Sequence, residues 1–309
     1  MTWNPAHLPG QHGRTHVVTG STAGIGYFAA EQLAGAGAHV VLASRSAPKL
    51  ERARASILDQ VPGASVSTVV LDLASLASVR RAADELAASG RIDGLFLNGG
   101  AMERARGATT ADGLPLLIGT HAIAGFALSA LLLPTLAATG RETGTPARIV
   151  HASTGFVRML KLDVDDLAAP PRGFLRDYTH AKTATELAAY ELDRRLRTAG
   201  LPVASIVAHP GVGVDAKTPA RRGVYDPRTQ RRRNPFSPWA QGKDAAAWPA
   251  VRALTDPSVV GGESFGPEGG RRGAPVRIEP NAHAAEAEAS RVARAWAQLE
   301  VLGGVPVAA

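Results

Sequence analysis

The stretch that decides the fold is Thr19-Gly20-Ser21-Thr22-Ala23-Gly24-Ile25-Gly26, which lies between a β-branched run and an Ala/Leu-rich run. Glycine reaches positive φ without strain and lets the backbone come close to a ligand. A helix that begins at Gly24 presents free N–H groups and a positive dipole end to an anion such as pyrophosphate. An ordinary glycine-rich strand-to-helix turn is the alternative interpretation. The predicted phosphate-binding residues are Gly20, Thr22, Ala23, Gly24, Ile25 and Gly26.

Short apolar runs alternate with helical patterns up to residue 208. Such alternation is typical of strand–helix–strand units and a parallel sheet. Because the runs are apolar throughout, we expect helices to cover both faces of the sheet. Right-handed crossovers then give a doubly wound α/β fold of the Rossmann type, in a single domain over residues 1–309. Strands are predicted at 16–19, 39–43, 66–71, 92–97, 148–151 and 202–208, and helices at 24–36, 48–60, 76–88, 116–139 and 178–199.

The segment 214–248 breaks this alternation because it is rich in proline, arginine and glycine. A long irregular insertion in a compact domain is usually a binding loop or disordered, and we interpret this one as a lid over a substrate pocket. Phe156, Phe236 and Trp239 are candidate walls of the pocket; an equally good interpretation is that they only pack the loop onto the domain. A short last strand is predicted near 261–267 and an amphipathic C-terminal helix at 282–301.

Composition and charge exclude several classes of protein. Among 309 residues, 45% are hydrophobic, 20% are charged and none is cysteine, which excludes disulfides, cysteine-ligated metals and thiol catalysis. We predict no metal site, no signal peptide and no membrane-spanning segment, and we expect a cytoplasmic protein. The net charge of +7 includes an arginine-rich stretch at 221–233. A solvated loop is its simplest interpretation, a lid or anionic-ligand role is the alternative, and a nucleic-acid partner is not expected.

The residues after the second and third predicted strands indicate which nucleotide fits. An acidic residue after the second strand would bind a ribose 2′-hydroxyl, whereas this chain has Ser44 and Arg45 there. Arg45 can pair with a 2′-phosphate and Ser44 can donate a hydrogen bond, which favours NADP(H) as the cofactor. A surface arginine without this role is the alternative. Asp72 and Leu73 follow the third strand, where a carboxylate can accept a hydrogen bond from the adenine amino group.

Tyr178 and Lys182 are spaced i and i+4 on a predicted helix, which places the phenol and the ammonium on one face. The ordinary tyrosine pKa of about 10 is too high for easy proton exchange near neutral pH. A cation about 4–6 Å away favours phenolate and lowers that pKa. The pair is therefore a candidate general acid/base, and an exposed pair without function is the alternative.

Four segments follow one another at predicted strand ends: the glycine-rich turn, Asn98-Gly99-Gly100-Ala101, Ser153-Thr154, and Tyr178 with Lys182. Together they resemble the short-chain dehydrogenase/reductase family over roughly residues 13–270. Within that family, these segments most resemble the retinol-dehydrogenase and protochlorophyllide-reductase-like branch. The resemblance implies hydride transfer between NADP(H) and a carbonyl or alcohol of a small-molecule substrate. It also makes Tyr178 the proton donor and Lys182 its modulator, which holds the nicotinamide ribose.

The same resemblance implies roles for two further turns. The family's Asn-Asn-Ala-Gly sequence after the fourth strand corresponds to cofactor-binding residues Asn98, Gly99 and Gly100 here. The sequence His209-Pro210-Gly211-Val212 after the sixth strand resembles the family's Pro-Gly turn, whose backbone binds the nicotinamide carboxamide. The cofactor-binding residues of that turn are Pro210, Gly211 and Val212. The family resemblance also implies a homo-oligomer.

Three positions depart from the family pattern close to the predicted reacting centre. Thr154 stands where the family usually has a catalytic serine, with Ser153 as the alternative hydroxyl. His121 stands where the family has an asparagine that holds a proton-relay water; a histidine can anchor a water or titrate near neutral pH, and a plain core histidine is the alternative. Asp215 replaces a threonine that helps to hold the pyrophosphate, so we expect its carboxylate to point away.

Three functional hypotheses follow. The first is an NADPH-dependent carbonyl reductase or alcohol dehydrogenase, in which Tyr178 protonates the developing alkoxide and Thr154 or Ser153 stabilises it. The second is a redox-neutral cyclase, dehydratase or isomerase on the same scaffold, suggested by the three departures. The third is a non-catalytic NADP(H)-binding protein, since fold does not fix function. The lid aromatics favour an apolar or aromatic substrate, and the arginines favour an acidic one.

Overall fold

Within residues 3–102, 107–224 and 237–307, which the computed structural model describes, eight strands form one sheet. The strands are β1 (Thr15–Thr19), β2 (His39–Ser44), β3 (Ser65–Val70), β4 (Gly94–Leu97), β5 (Ala147–Ala152), β6 (Val203–Ala208), β7 (Ser264–Pro267) and β8 (Pro275–Ile278). Their order is β3-β2-β1-β4-β5-β6-β7-β8, with β7 and β8 antiparallel and every other neighbouring pair parallel. The chain reverses its direction of growth beside β1, which confirms the predicted doubly wound α/β fold in one domain.

Helices connect the strands and cover both faces of the sheet. They are α1 (Gly24–Gly35), α2 (Ala47–Gln60), α3 (Leu76–Ala88), α4 (Leu116–Thr143), α5 (Phe156–Met159), α6 (Phe174–Thr198), α7 (Lys243–Ala246), α8 (Trp248–Thr255), α9 (Ala282–Ala285) and α10 (Ala289–Gly303). Two short 3₁₀ turns lie at Asp215–Lys217 and Ser237–Trp239. The helix that carries Tyr178 therefore begins at Phe174, four residues before the predicted start.

Two apolar layers enclose the sheet, which is why its strands are apolar throughout. Val17 faces a layer formed with α3, α4, α6 and α10, whereas its neighbour Val18 faces a layer formed with α1, α2 and α8. Successive side chains of a strand point to opposite faces, so both of these adjacent valines are buried. Phe28 and Leu254 are buried in the second layer, and Trp296 is buried in the first.

Helix α4 is the longest apolar element, with a π-helical segment at Gly119–Ile123 near its start. By length and composition alone it could cross a membrane, but 83% of its most apolar window is buried inside the fold. The core helix of a soluble protein passes the same test, so this feature is weak support for a membrane span. Trp296 of α10 packs edge-on against Phe126 of α4 with 5.0 Å between ring centroids, so the C-terminal helix covers α4.

The C-terminal third differs most from the predictions. Strand β8 was not predicted, because it is a short edge strand with only partial burial and two flanking turns. The predicted helix at 282–301 is divided into α9 and α10, because the backbone is extended at Glu288. The predicted irregular segment 214–248 contains α7 and ends as α8 begins; its residues 225–236 lie outside the described ranges. Short helices of this kind carry too few residues for a periodic signal.

The carboxyl ends of β1 to β6 lie at one edge of the sheet. Thr19, Leu97 and Ala152 are the last residues of β1, β4 and β5, so the segments that follow them meet there. Ligands of open α/β sheets bind at this edge, beside the strand where the order reverses. The predicted site residues follow these strand ends.

Candidate active site

The glycine-rich turn begins the site at the end of β1. Gly20 and Gly24 both have a φ of +65°, and α1 begins at Gly24 without a side-chain cap. A Cβ on Gly26 would lie 2.5 Å from Asn98 Nδ2 and 2.6 Å from Gly20 O, so only glycine fits where the turn meets β4. The Ser21 hydroxyl is buried without a hydrogen-bond partner among the described residues. The N-terminus of α1, the close glycine packing and a buried hydroxyl without a partner among the described residues fit a bound pyrophosphate.

An open groove of about 360 Å³ extends from this turn across the ends of β2 and β3. Arg45 is exposed at one side of the groove, where it can reach a ligand phosphate. The predicted cofactor-binding residues along it are Gly20, Thr22, Ala23, Ser44, Arg45, Asp72, Leu73, Gly99 and Gly100. The Asp72 carboxylate also accepts a hydrogen bond from Ala74 N at 3.0 Å, which fixes the orientation of the carboxylate. The chemistry of this lining is therefore compatible with an adenine nucleotide.

Asn98 joins two strands at the centre of this edge. Its Nδ2 atom donates to Thr19 O at 3.1 Å, and the Thr19 hydroxyl accepts from the N–H groups of Asn98 at 3.0 Å and Gly99 at 2.9 Å. The side chain of this predicted cofactor-binding residue is thus used to hold the end of β4 against the glycine-rich turn. Its contribution to the groove is structural support of the turn.

Tyr178 and Lys182 lie together one turn apart on α6, as their spacing predicts. The Lys182 Nζ atom is 6.0 Å from the centroid of the Tyr178 ring and donates to Ala152 O at 2.6 Å. Lys182 is buried, and burial lowers its pKa to about 8. The ammonium is therefore held at the end of β5, beside the tyrosine.

The pKa of Tyr178 differs from the prediction that the neighbouring Lys182 lowers it. Burial raises the pKa of Tyr178 to about 12, and a hydrogen bond with the Thr154 side chain acts in the opposite direction. The predicted lowering by Lys182 is not found, because the ammonium lies near the ring and bonds to a backbone carbonyl. Tyr178 is consequently a protonated phenol at neutral pH.

Thr154 and Ser153 have different environments although they are adjacent. Thr154 is half-buried and faces Tyr178. Ser153 is buried, and its Oγ donates to Glu186 Oε1 at 2.6 Å. The alternative assignment of Ser153 as the catalytic hydroxyl is therefore corrected, since its only proton is used by a carboxylate behind the site.

Glu186 is a buried carboxylate that was not predicted as a site residue. It accepts from Ser153 on one oxygen and from Asn281 Nδ2 on the other, at 2.9 Å. Burial raises the pKa of Glu186, and both hydrogen bonds act against that rise. It lies four residues after Lys182, and its charge acts against the lowering of the Lys182 pKa. Its spacing of i+4 from Lys182 is a sequence signal that could have identified it.

His121 lies in the π-helical segment of α4 and contacts both halves of the site. Its ring meets Tyr178 edge-on with 5.3 Å between centroids, and Nε2 is 2.8 Å from Ala101 O. A Cβ on Gly100 would lie 2.0 Å from the imidazole Cε1 atom, so glycine at 100 makes room for the histidine. Burial lowers the pKa of His121 to about 3. The predicted titration near neutral pH is corrected, and His121 is a neutral imidazole that donates from Nε2.

The turn after β6 is held by the protein itself. Gly211 has a φ of +66°, and Gln241 Nε2 donates to Pro210 O at 3.0 Å. The Val212 N–H donates to Arg271 O at 2.8 Å, and Val212 O accepts from Gln241 N at 2.9 Å. The Val212 N–H is engaged within the protein, whereas its carbonyl can accept a second hydrogen bond, so its backbone contact with a carboxamide stays a prediction.

Asp215 and Lys243 form an ion pair near the glycine-rich turn, with 2.6 Å between Oδ1 and Nζ. Asp215 was expected to point away from the pyrophosphate site, and its carboxylate is directed to this lysine. Lys243 was not predicted as a site residue, because 27 residues separate it from Asp215 and no local motif connects them. Only the folded chain brings the two charges together.

The predicted pocket walls and the arginine-rich stretch are only partly within the described residues. Phe156 and Trp239 are exposed, and Phe236 lies outside the described residues. Arg221 pairs with Glu31 at 2.6 Å, so this part of the arginine-rich stretch is an anchor to α1. Arg222 is exposed, and the arginines at 228 and 231–233 lie outside the described residues. Within the described ranges there is no cluster of three or more histidine, aspartate or glutamate side chains suited to a metal ion.

Known proteins are similar to this chain in sequence and in fold. The pattern of the short chain dehydrogenase family matches residues 14–157. Polyprenol dehydrogenase from Mus musculus is 34% identical over 304 residues, covering 96% of this chain and 85% of that protein. Retinol dehydrogenase 13 from Homo sapiens is 36% identical over 203 residues, covering 65% and 59%. The crystal structure of an uncharacterized protein from Mycobacterium Paratuberculosis superposes with a TM-score of 0.78 at 29% identity, over 100% of both chains.

Proposed function

The chain belongs to the short-chain dehydrogenase family, and from that premise we propose that it is an NADP(H)-dependent oxidoreductase that interconverts a carbonyl compound and its alcohol. The observation that carries this proposal is the position of the Tyr178 phenol beside Thr154, above a buried Lys182. Ala101 lines the nucleotide groove, and its carbonyl accepts from His121, which contacts the Tyr178 ring. The acid and the groove therefore adjoin one another.

The bound nicotinamide would supply or accept the hydride at carbon. The Tyr178 hydroxyl, which is protonated at neutral pH, then donates its proton to the substrate oxygen. The Thr154 hydroxyl donates a hydrogen bond to the same oxygen as negative charge develops there. Lys182 keeps positive charge behind the phenol and can bind the ribose hydroxyls. Reduction of the carbonyl is the direction that the protonated Tyr178 favours.

The preference for NADP(H) rests on Ser44 and Arg45 at the end of β2. Arg45 is exposed beside the groove, and no acidic residue occupies the position that would bind a free 2′-hydroxyl. A guanidinium can form a bidentate contact with a 2′-phosphate. We expect NADPH to bind more tightly than NADH for this reason.

An apolar substrate is supported by exposed apolar side chains on the segments that carry site residues. Exposed large apolar side chains follow or precede site residues closely in the chain: Met102, Phe156, Met159, Leu175 and Trp239. Exposed apolar groups gathered on functional segments often mark a binding surface. The relatives named for polyprenol and retinol act on apolar alcohols by their names, which supports the same class here.

A direct test follows NADPH oxidation at 340 nm with a series of aliphatic and isoprenoid aldehydes of increasing chain length. Turnover should require NADPH and improve with apolar length. Tyr178→Phe should lower kcat by about 10²–10⁴-fold and leave the Kd for NADPH almost unchanged. Tyr190→Phe is the matched control, because Tyr190 is on the same helix and its hydroxyl bonds to Ser264 at 2.7 Å. Full activity of Tyr178→Phe, or a product of unchanged oxidation state, would overturn the proposal.

A further inference from the structure

The segment after β6 places an ion pair across the start of α1. Lys243 is the first residue of α7, and Gln32 of α1 donates to Asp244 O at 2.9 Å, which holds α7 onto α1. The Lys243 backbone N–H donates to Thr218 Oγ1 at 2.9 Å. The base of the Lys243 side chain is therefore fixed from two sides, while its end meets Asp215 at 2.6 Å.

The stem of Lys243 runs between the two turns of the site. A Cβ on Gly24, the first residue of α1, would lie 3.8 Å from Lys243 Cδ. A Cβ on Gly213, just after the Pro-Gly turn, would lie 3.5 Å from Lys243 Cγ. The lysine side chain is 26% exposed and the Asp215 side chain 37%, so both remain accessible from solvent.

Charge decides what this arrangement does. The start of α1 attracts the coenzyme pyrophosphate through its backbone N–H groups and the helix dipole. A carboxylate at Asp215 would repel the same group, and Lys243 compensates for that repulsion. We propose that Lys243 is a pyrophosphate-binding residue and that Asp215 is the counter-ion that positions it until the coenzyme binds. This inference rests on the proposed use of NADP(H).

The alternative is that the ion pair only ties α7 to the turn after β6. The two roles predict different signs. If the pair is only a tie, then Lys243→Met and Asp215→Asn both break it and change coenzyme affinity in the same direction. If Lys243 binds pyrophosphate, then Lys243→Met weakens binding, whereas Asp215→Asn removes the competing carboxylate and strengthens it.

The experiment measures the Kd of the full-length protein for NADPH and for adenosine 2′-monophosphate, which has the 2′-phosphate and no pyrophosphate. We expect Lys243→Met to raise the Kd for NADPH about tenfold, with adenosine 2′-monophosphate unchanged. Asp215→Asn should lower the Kd for NADPH. Lys217→Met is the charge-matched control, because Lys217 lies in the same segment and donates to Ala240 O at 2.8 Å. Thermal unfolding of each variant checks that it is folded.

The outcomes separate this inference from the proposed function. Equal loss of affinity for both ligands in Lys243→Met, an unchanged Kd for NADPH, or weaker binding by Asp215→Asn each overturns the pyrophosphate role alone. Failure of the unsubstituted protein to bind NADPH overturns both proposals. A selective loss for NADPH in Lys243→Met with a gain in Asp215→Asn supports the inference.

Discussion

The nucleotide groove and the reaction centre meet at Ala101, but they are built from different material. The groove consists mainly of backbone and small side chains in turns that follow β1, β2, β3 and β4. The reaction centre consists of large side chains on α4 and α6 and of the two hydroxyls that follow β5, and most of their polar atoms are bonded to one another or to the backbone. Binding in the groove thus depends on local turn geometry, whereas chemistry depends on long-range contacts.

Glycine has a different purpose in each region. In the groove, Gly26 lets α1 approach Asn98, which is a requirement of the turn itself. At the junction, Gly100 leaves space for the ring of His121, 21 residues further along the chain. The first requirement belongs to one short motif, and the second exists only because α4 packs beside β4.

The largest expected effect that tests this difference between the groove and the reaction centre concerns the hydroxyls of Thr154 and Ser153. Thr154→Val keeps the side-chain shape and removes the hydroxyl that faces Tyr178. We expect kcat/KM to fall by about 10²–10³-fold, the usual loss for a donor to a developing oxyanion, with an unchanged Kd for NADPH. Steady-state kinetics and a binding titration measure the two quantities.

Ser153→Ala is the matched variant for that experiment. It should keep kcat within a few-fold and lower the free energy of unfolding by about 1–3 kcal/mol, because Glu186 loses a buried hydrogen bond. The assignment is wrong if Ser153→Ala loses more activity than Thr154→Val.

A smaller effect is expected at the junction of the two regions. Gly100→Ala places a methyl group against the His121 ring and should lower the free energy of unfolding by about 1–3 kcal/mol. His121→Asn removes the ring, so Gly100→Ala should have little further effect in that background. Urea unfolding of the single and double variants gives the coupling.

Gly155→Ala controls for the general effect of adding a methyl group, because a Cβ there has open space around it. If Gly100→Ala costs the same with and without His121, the two residues do not share this space and the junction must be described differently.

The difference between the regions also explains how far the sequence could predict this protein. The parallel sheet, the glycine-rich turn and the groove residues at the ends of β2 and β3 were predictable, because each is carried by a short contiguous pattern. The same holds for the pairing of Tyr178 with Lys182, which needs only helical spacing. The opposite environments of Ser153 and Thr154 were not predictable, because they depend on Glu186 and on the distant Asn281. The prediction that Lys182 lowers the Tyr178 pKa was wrong for a related reason. Burial outweighs the effect of the Lys182 ammonium, which donates to a backbone carbonyl.

The smallest expected effect lies behind the reaction centre, where Glu186 acts on Lys182 through its charge. Burial lowers the pKa of Lys182 from 10.5 to about 8, and Glu186 opposes this shift. Because the unfolded chain binds more protons between about pH 8 and 10.5, Lys182 makes stability rise with pH in that window. Without the carboxylate, as in Glu186→Gln, the Lys182 pKa falls further and the window begins at lower pH.

This shift should be visible in coenzyme binding, because Lys182 can hold the ribose only while its ammonium keeps a charge. The Kd for NADPH of the unsubstituted protein should be constant below about pH 8 and rise above it. In Glu186→Gln the rise should begin at lower pH, with affinity at pH 6 little changed. Glu191→Gln is the control, because this carboxylate on the same helix pairs with Arg194 and Arg195 at 2.7 Å. An unchanged onset in Glu186→Gln, or an equal shift in Glu191→Gln, would show that the reaction centre is electrostatically independent of the carboxylate behind it.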